Sequence, residues 1–151
     1  MCNTSAPEDV IVVTLGGSQI IVSGAMLSEI KLSKANLSGV DLVGAKLRGA
    51  DLSGADLMDA NLRNVNLHHA NLAGANLYKA ELRDSDLSFA NLAKSNVGRA
   101  QLINANMYAV DLEAAHLDSS NLKRADLRYA NLKGANMEGA ILSLSLIHIS
   151  E

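Results

Sequence analysis

The sequence predicts an all-β fold in which the chain winds into a solenoid of short stacked coils. Every fifth residue from Leu27 to Leu142 is apolar and nearly always leucine. A small residue, usually alanine, lies two positions before it, and Asp or Asn usually lies one position before it. The series contains no insertion or deletion. A fixed short period of this kind indicates a repeat architecture in which each repeat buries its apolar face against its neighbours.

The period of five fits neither a helix nor a strand. Apolar residues on one helix face recur at spacings of three and four, and those on one strand face recur at spacings of two. The alternation of small residue, Asp or Asn, and leucine is strand-like, with the middle side chain pointing outward. The two residues that follow, such as Ser38 and Gly39, favour turns. A short strand and a turn, repeated, form a polygonal coil whose layers stack about 4.8 Å apart.

The pentads resemble those of the pentapeptide-repeat family, whose signature is A(D/N)LXX in tandem. The segments Ala50–Gly54 and Ala55–Asp59 match that signature at every defined position. The resemblance covers 115 residues from Ala25 to Gly139, which divide into 23 pentads. It implies a right-handed quadrilateral β-helix with four pentads per coil, and therefore about six coils.

Such a coil has a narrow interior, which leucine and alanine fill together. Because interiors pack closely, only small residues fit beside the leucines. We expect the outward Asp and Asn side chains to bond backbone groups and to stack in ladders from coil to coil. Serines at the small position need backbone acceptors, and valines there overpack the interior slightly. These serines are Ser85, Ser95 and Ser120, and the valines are Val40, Val65 and Val110.

The N-terminal segment keeps the phase of the count but loses the motif. We expect residues 1–9 to be disordered and residues 10–24 to form one or more capping strands or a degenerate first coil. The apolar residues of that segment, Val10, Val12, Leu15, Ile20 and Val22, fall on inward positions. Terminal repeats are atypical because a bare coil exposes core and strand edge. The β-helix itself is predicted over residues 25–143.

The pattern collapses after residue 143. Residues 144–151 read like the translation of a transposon-end sequencing adapter, a non-native tail to be set aside like any fusion scar. On that interpretation the native C-terminus is missing. The alternative is a genuine capping strand, since Leu144, Leu146, Ile147 and Ile149 are apolar.

Composition excludes several classes of function. The net charge is −3, and the periodic region carries 13 basic and 13 acidic residues, since Glu8, Asp9 and Glu151 lie outside it. This balance argues against nucleic acid as a partner. One thin basic line of Arg63, Arg83 and Lys123, interrupted by Ile103, is interpreted as a solvated face. A single cysteine forms no intramolecular disulfide. No apolar run has the length of a membrane span, so we expect no membrane association and a cytoplasmic protein.

We expect no enzymatic activity, no metal and no cofactor. His68 and His69 are adjacent, so they need not converge on one ion, and His116 replaces the usual Asp or Asn. No Cys and His cluster has ligand spacing. Glycines occur singly at turns rather than in a phosphate-binding loop. A filled interior also leaves no cavity for a substrate.

Steps of twenty residues, one full coil, gather the aromatic residues on one face. We predict that this face binds a protein partner, because exposed aromatics on a small polar surface are typical of interfaces. The alternative is that stacked rings merely stabilise neighbouring strands. The candidate residues are His68, His69, Phe89, Tyr108, Arg128 and Tyr129.

The favoured hypothesis is a non-enzymatic scaffold that binds an unknown protein through the outer faces of a rigid β-helix. A second hypothesis is a DNA-mimicking regulator or protector of DNA gyrase, a type II topoisomerase, because some members of the resembled family protect gyrase from quinolones. Those members are strongly acidic and dimerise through a C-terminal helix, and this sequence has neither feature. A third is an accessory repeat module of a longer protein. A bare C-terminal coil would also favour a homodimer.

Overall fold

The computed structural model describes residues 27–148 of the 151-residue chain. The predicted disordered N-terminus and the predicted cap at residues 10–24 lie outside the described residues, as do residues 149–151.

Each pentad contributes one ladder position and one turn. The residue before each core leucine pairs in parallel with the residue twenty positions later, as in Lys46 with Asn66. Nearly all of these pairings are single-residue bridges. Two three-residue strands occur in the described part, β1 at Asp126–Arg128 and β2 at Leu146–His148, and they pair in parallel. The extended segments are thus shorter than the expected strands, because a turn in every pentad leaves little straight chain.

The turn places the second residue after each core position in the left-handed region. Positive φ occurs at 17 non-glycine residues and at seven glycines in this position, from Glu29 to Leu144. Between successive pentads the amide of Ala50 donates to the carbonyl of Leu47 at 3.0 Å, which closes the turn. Between coils the amide of Gly49 donates to the carbonyl of His68 at 2.9 Å. The same pattern recurs along the rod, so the backbone repeats from coil to coil.

A register of twenty residues and a repeat of five give four pentads, and therefore four faces, per coil. Residues twenty positions apart lie one above another along the rod and form a column. We number the faces by the first core residue of each core column in the fully buried part of the rod. The first face starts at Leu47, the second at Leu52, the third at Leu57 and the fourth at Leu62. Because a coil has four sides, the first and third faces lie on opposite sides of the rod.

The interior is filled as the sequence predicts. Core residues from Leu47 to Leu127 are at most 1 % exposed. Each such leucine contributes roughly 2 kcal/mol by burial. Ser95 is fully buried, and its hydroxyl donates to the carbonyl of Leu92 at 2.7 Å. Ser85 and Ser120 make the same bond at 2.7 Å, so the expected backbone acceptors are confirmed.

The Asp and Asn side chains bond both backbone and one another. In most pentads the side-chain oxygen accepts the amide two residues later, as Asp51 Oδ1 does from Ser53 at 3.1 Å. Between coils Asn71 Nδ2 donates to Asp51 Oδ1 at 3.2 Å, and Asn76 repeats this with Asp56 at 3.0 Å. The expected ladders are confirmed.

Residues Leu146–His148 extend the ladder in the same twenty-residue register as the preceding coils, with Asp126 paired to Leu146. This placement is compatible with a capping strand and with an adapter-derived tail, so the origin of residues 144–151 stays a prediction.

Candidate partner-binding face

Five rings form a continuous line along the first face, which we call the aromatic row: His68, His69, Phe89, Tyr108 and Tyr129. The line runs through two adjacent columns, since His69, Phe89 and Tyr129 occupy the second position after the core residue, and His68 and Tyr108 the first.

Tyr108 keeps the row continuous. The column of Phe89 and Tyr129 holds Ala109 in the coil between them, and the ring of Tyr108 fills this gap from the next column. Its centroid lies 5.5 Å from that of Phe89 and 5.2 Å from that of Tyr129. At the other end the ring of His69 stacks on Phe89 at 5.1 Å, and His68 meets it edge-on at 5.6 Å. The structure therefore brings together the five ringed residues that the sequence grouped.

The row is open to solvent. Phe89 is 47 % exposed and Tyr129 is 60 % exposed, and both are among the exposed large apolar residues of the described chain. Edge-to-face arrangements dominate the row, the geometry that the ring quadrupoles prefer. The rings thus form a ridge that a partner can cover.

The backbone beneath the row is unusual for aromatic residues. His69, Phe89 and Tyr129 have φ values of 59°, 57° and 62°. Bulky side chains are rare in the left-handed region, where their Cβ meets the carbonyl oxygen at a cost of roughly 1–2 kcal/mol. Among the positive-φ residues of the described chain, these three alone carry aromatic rings, and all three lie in this row.

Arg128 lies at the end of the row, as predicted. Its Nη2 and Nε donate to Asp126 at 2.6 Å and 2.9 Å, and its guanidinium carbon lies 5.8 Å from the ring centroid of Tyr108. The hydrogen bond from Arg128 lowers the pKa of the Asp126 carboxyl. The guanidinium is therefore held beside the ring, with its charge offset by Asp126.

A polar chain that sequence reasoning missed lies under the histidine end of the row. Ser88 is buried and donates its hydroxyl to Asp86 Oδ1 at 2.6 Å. Its oxygen lies 2.7 Å from His68 Nδ1. Because the serine hydroxyl already donates its hydrogen to Asp86, the Nδ1–H of the imidazole must be the donor in this second bond. The signal was present in the sequence, because Ser88 lies twenty residues after His68.

This chain does not have the order of a catalytic triad. There the imidazole lies between the serine and the carboxylate and takes the serine proton. Here the serine lies between the other two groups, so His68 cannot act as its base. The arrangement fixes a tautomer instead, with the proton on Nδ1 and a free acceptor at Nε2.

Burial lowers the pKa of the His68 imidazole, and the neighbouring charges of His69 and Arg48 lower it further, while Asp86 opposes them. His68 is therefore mainly neutral at pH 7. Its Nε2 then presents a hydrogen-bond acceptor at the edge of an otherwise apolar row.

Two arginines of the thin basic line on the fourth face bond to side chains of their own pentads. Arg83 Nε lies 3.2 Å from Glu81 Oε2, and Arg63 Nε donates to Asn61 Oδ1 at 2.9 Å. This fits the interpretation of a solvated face.

Within residues 27–148, no three His, Cys, Asp or Glu side chains are grouped so that they could hold a metal ion. No helix in that part of the chain is long and apolar enough to cross a membrane.

The repeat region matches a known protein family. The family of pentapeptide repeats matches in eight copies, over residues 25–64, 60–98, 80–113 and 105–143. No curated protein matches the chain.

Several solved structures are similar. The pentapeptide repeat protein Rfr23 from the cyanobacterium Cyanothece 51142 is 24 % identical, with a TM-score of 0.56, over 85 % of this chain and 91 % of that one. A trypsin-treated R167E form of QnrB1, a plasmid-mediated fluoroquinolone resistance protein, is 20 % identical, with a TM-score of 0.62, over 82 % and 73 %. HetL, which is involved in heterocyst differentiation regulation in Nostoc sp. strain PCC 7120, is 32 % identical over 82 % and 72 %, with a TM-score of 0.37.

Proposed function

Because the chain belongs to the pentapeptide-repeat family, we propose that it is a non-enzymatic scaffold that docks a protein partner on the aromatic row. The family carries the right-handed quadrilateral β-helix, and we propose about six coils for this chain. A rod of this kind is rigid and presents side chains on a grid of about 4.8 Å along its axis.

The observation that carries the proposal is the conformation of the ringed residues. If the rings served only to hold neighbouring strands together, residues that tolerate positive φ would suit these turns better. Gly49 occupies the same column one coil away from His69, and glycine occupies this turn position in six further pentads. Aromatic residues here maintain an exposed apolar ridge at turn positions whose left-handed backbone is least costly for glycine and costly for bulky side chains.

The distribution of charged residues supports docking of a protein partner rather than imitation of DNA. Each of the four faces carries both signs, and basic and acidic residues on one face never differ by more than two over residues 27–148. A DNA mimic needs a continuous negative surface to compete for a DNA-binding site. The likeness to QnrB1 concerns the fold, so gyrase protection is not the function we propose. A role as accessory module of a longer protein is compatible with docking on the row.

Selection from a phage-displayed random peptide library on the immobilised protein tests the proposal. Enriched peptides should lose at least about ten-fold in affinity on a Phe89→Asn/Tyr129→Asn variant, about 1.4 kcal/mol. Asn tolerates positive φ, so this variant removes two rings and keeps the turns.

The matched control is Lys94→Asn/Lys34→Asn, two exposed positive-φ positions on the second face. Peptide binding should stay within about two-fold of the parent protein, well under 1.4 kcal/mol. Peptides that bind the row variant as tightly as the parent would contradict the proposal, and so would a selection without enrichment.

A further inference from the structure

The third face, on the opposite side of the rod, carries a notch that the sequence did not reveal. It has a volume of about 320 Å³ and is lined by Tyr78, Asn96, His116 and Asp118. Its floor is Gly98, which lies in the coil between Tyr78 and Asp118 and in the same column.

The backbone conformation at residue 98 does not require a glycine. Seven of the eight glycines within residues 27–148 have positive φ, and Gly98 is the exception. It occupies the first position after the core residue, where other pentads carry Tyr, Asp, Met or Ser. The missing side chain therefore creates the notch rather than a turn.

Oxygen atoms converge over this floor. A Cβ atom added to Gly98 would lie 3.2 Å from Asn96 Oδ1, 3.2 Å from Asp118 Oδ1 and 3.3 Å from Asp118 Oδ2. Asn96 Oδ1 already accepts the amide of Gly98 at 3.1 Å. Within the described residues the side chains of Asp118 and His116 make no hydrogen bond or ion pair. The carboxylate of Asp118 thus leans over the notch with its accepting capacity unused.

The opposite wall is an aromatic ring that attracts cations. Lys79 Nζ lies 5.5 Å from the centroid of Tyr78, and the guanidinium carbon of Arg99 lies 5.9 Å from it. The third face also has the largest acidic excess of the four, with four acidic and two basic residues in the described chain. The backbones of Tyr78 and Asp118 lie two coils apart, about 9.6 Å along the axis, and the Asp118 carboxylate reaches across the coil of Gly98 between them.

We propose that this notch binds an arginine side chain of a protein partner, with its guanidinium stacked on Tyr78 and paired with Asp118. A guanidinium is planar, stacks on aromatic faces and donates two parallel hydrogen bonds to a carboxylate, whereas an ammonium group does not. The site is independent of the aromatic row, so the rod has two opposed docking faces.

An NMR titration of the ¹⁵N-labelled full chain tests this, with acetyl-Gly-Arg-Gly-amide as the probe. The amides of Gly98 and Asp118 should shift and saturate, with a Kd on the order of millimolar. Counterpart peptides with Lys or Glu in the middle should bind at least about five-fold more weakly. A lysine peptide that binds equally well, or a glutamate peptide that binds better, would overturn the proposal, as would the absence of saturation.

Variants locate the site. Asp118→Asn keeps the shape and removes the charge, and Gly98→Ala fills the floor at negative φ, so both should weaken binding at least about five-fold. Glu138→Gln is the matched control, because it removes one charge from the same column one coil away and should change nothing. Arg99→Asn removes a competing cation from Tyr78 and should tighten binding. Equal binding to Asp118→Asn and the parent protein would overturn the assignment, whatever the outcome for the row.

Discussion

Replacement of Phe89 by Asn should destabilise the protein far less than loss of an aromatic ring normally does. The ring is 47 % exposed and contacts three other rings. Half of a full phenylalanine burial contributes about 1 kcal/mol, and the ring contacts add roughly another 1 kcal/mol. Against this loss, relief of the left-handed backbone at φ 57° returns about 1 kcal/mol or more. The net change is therefore about 0–1 kcal/mol.

Tyr108→Asn provides the comparison. Tyr108 also contacts two rings and Arg128, but it lies one position earlier in its pentad, outside the positive-φ residues. Its loss has no compensating backbone relief, so it should cost about 1–2 kcal/mol.

Urea unfolding followed by circular dichroism measures both variants, compared at the transition midpoint with the slope checked for a change in cooperativity. Phe89→Asn should unfold at a higher urea concentration than Tyr108→Asn. Equal destabilisation by Phe89→Asn and Tyr108→Asn would show that the backbone under the row carries no strain.

Four further predictions concern the pH response, the core and the assembly. The pKa of His68 is lowered on folding, so protons bind the unfolded chain more tightly than the folded one. The contribution of His68 to stability is therefore complete above about pH 6.5 and falls as the pH drops below that value. An NMR-measured pKa at or above 6.5 in the folded protein would contradict this. Leu87→Ala in the fully buried core should cost about 3–5 kcal/mol in denaturant unfolding, and a loss under about 1 kcal/mol would disagree with the filled interior. Ser95→Ala should change stability by less than about 1 kcal/mol, because the amide of residue 95 still donates to the carbonyl of Leu92; calorimetry showing a larger loss would assign the hydroxyl a role of its own. Sedimentation velocity should detect a dimer formed through the C-terminal coil, whose Ile141 is 50 % exposed, and a monomer at all concentrations would rule that contact out.

The rod could be predicted from the sequence because the residues that determine it recur in every pentad. A leucine at every fifth position and a small residue beside it determine the coil, and the twenty-residue register follows from four pentads. The same register grouped the six candidate residues, since neighbours in space are twenty apart in sequence. Ser88 follows this rule too, since it lies twenty residues after His68 and its hydroxyl is bonded to that imidazole.

Other features depend on three-dimensional detail that the repeat does not encode. The sequence places turns at Phe89 and Tyr129, but a positive φ under bulky side chains follows from inter-coil bonds such as that from the amide of Phe89 to the carbonyl of Tyr108 at 2.9 Å. The notch on the third face depends on one glycine in an outward column and on the direction in which Asp118 leans. The extended segments are mostly single ladder positions, because a turn in every pentad leaves little straight chain.

If the aromatic row is a docking surface, a bound peptide must contact it, and NMR can map where on the protein the peptide lies. The ¹⁵N-labelled protein is titrated with the tightest-binding peptide from the phage selection, and amide shifts are assigned to the four faces. The largest saturable shifts are expected at Phe89, Tyr108 and Tyr129 on the first face. Shifts concentrated on any of the other three faces, with those three amides unmoved, would contradict a docking role for the row.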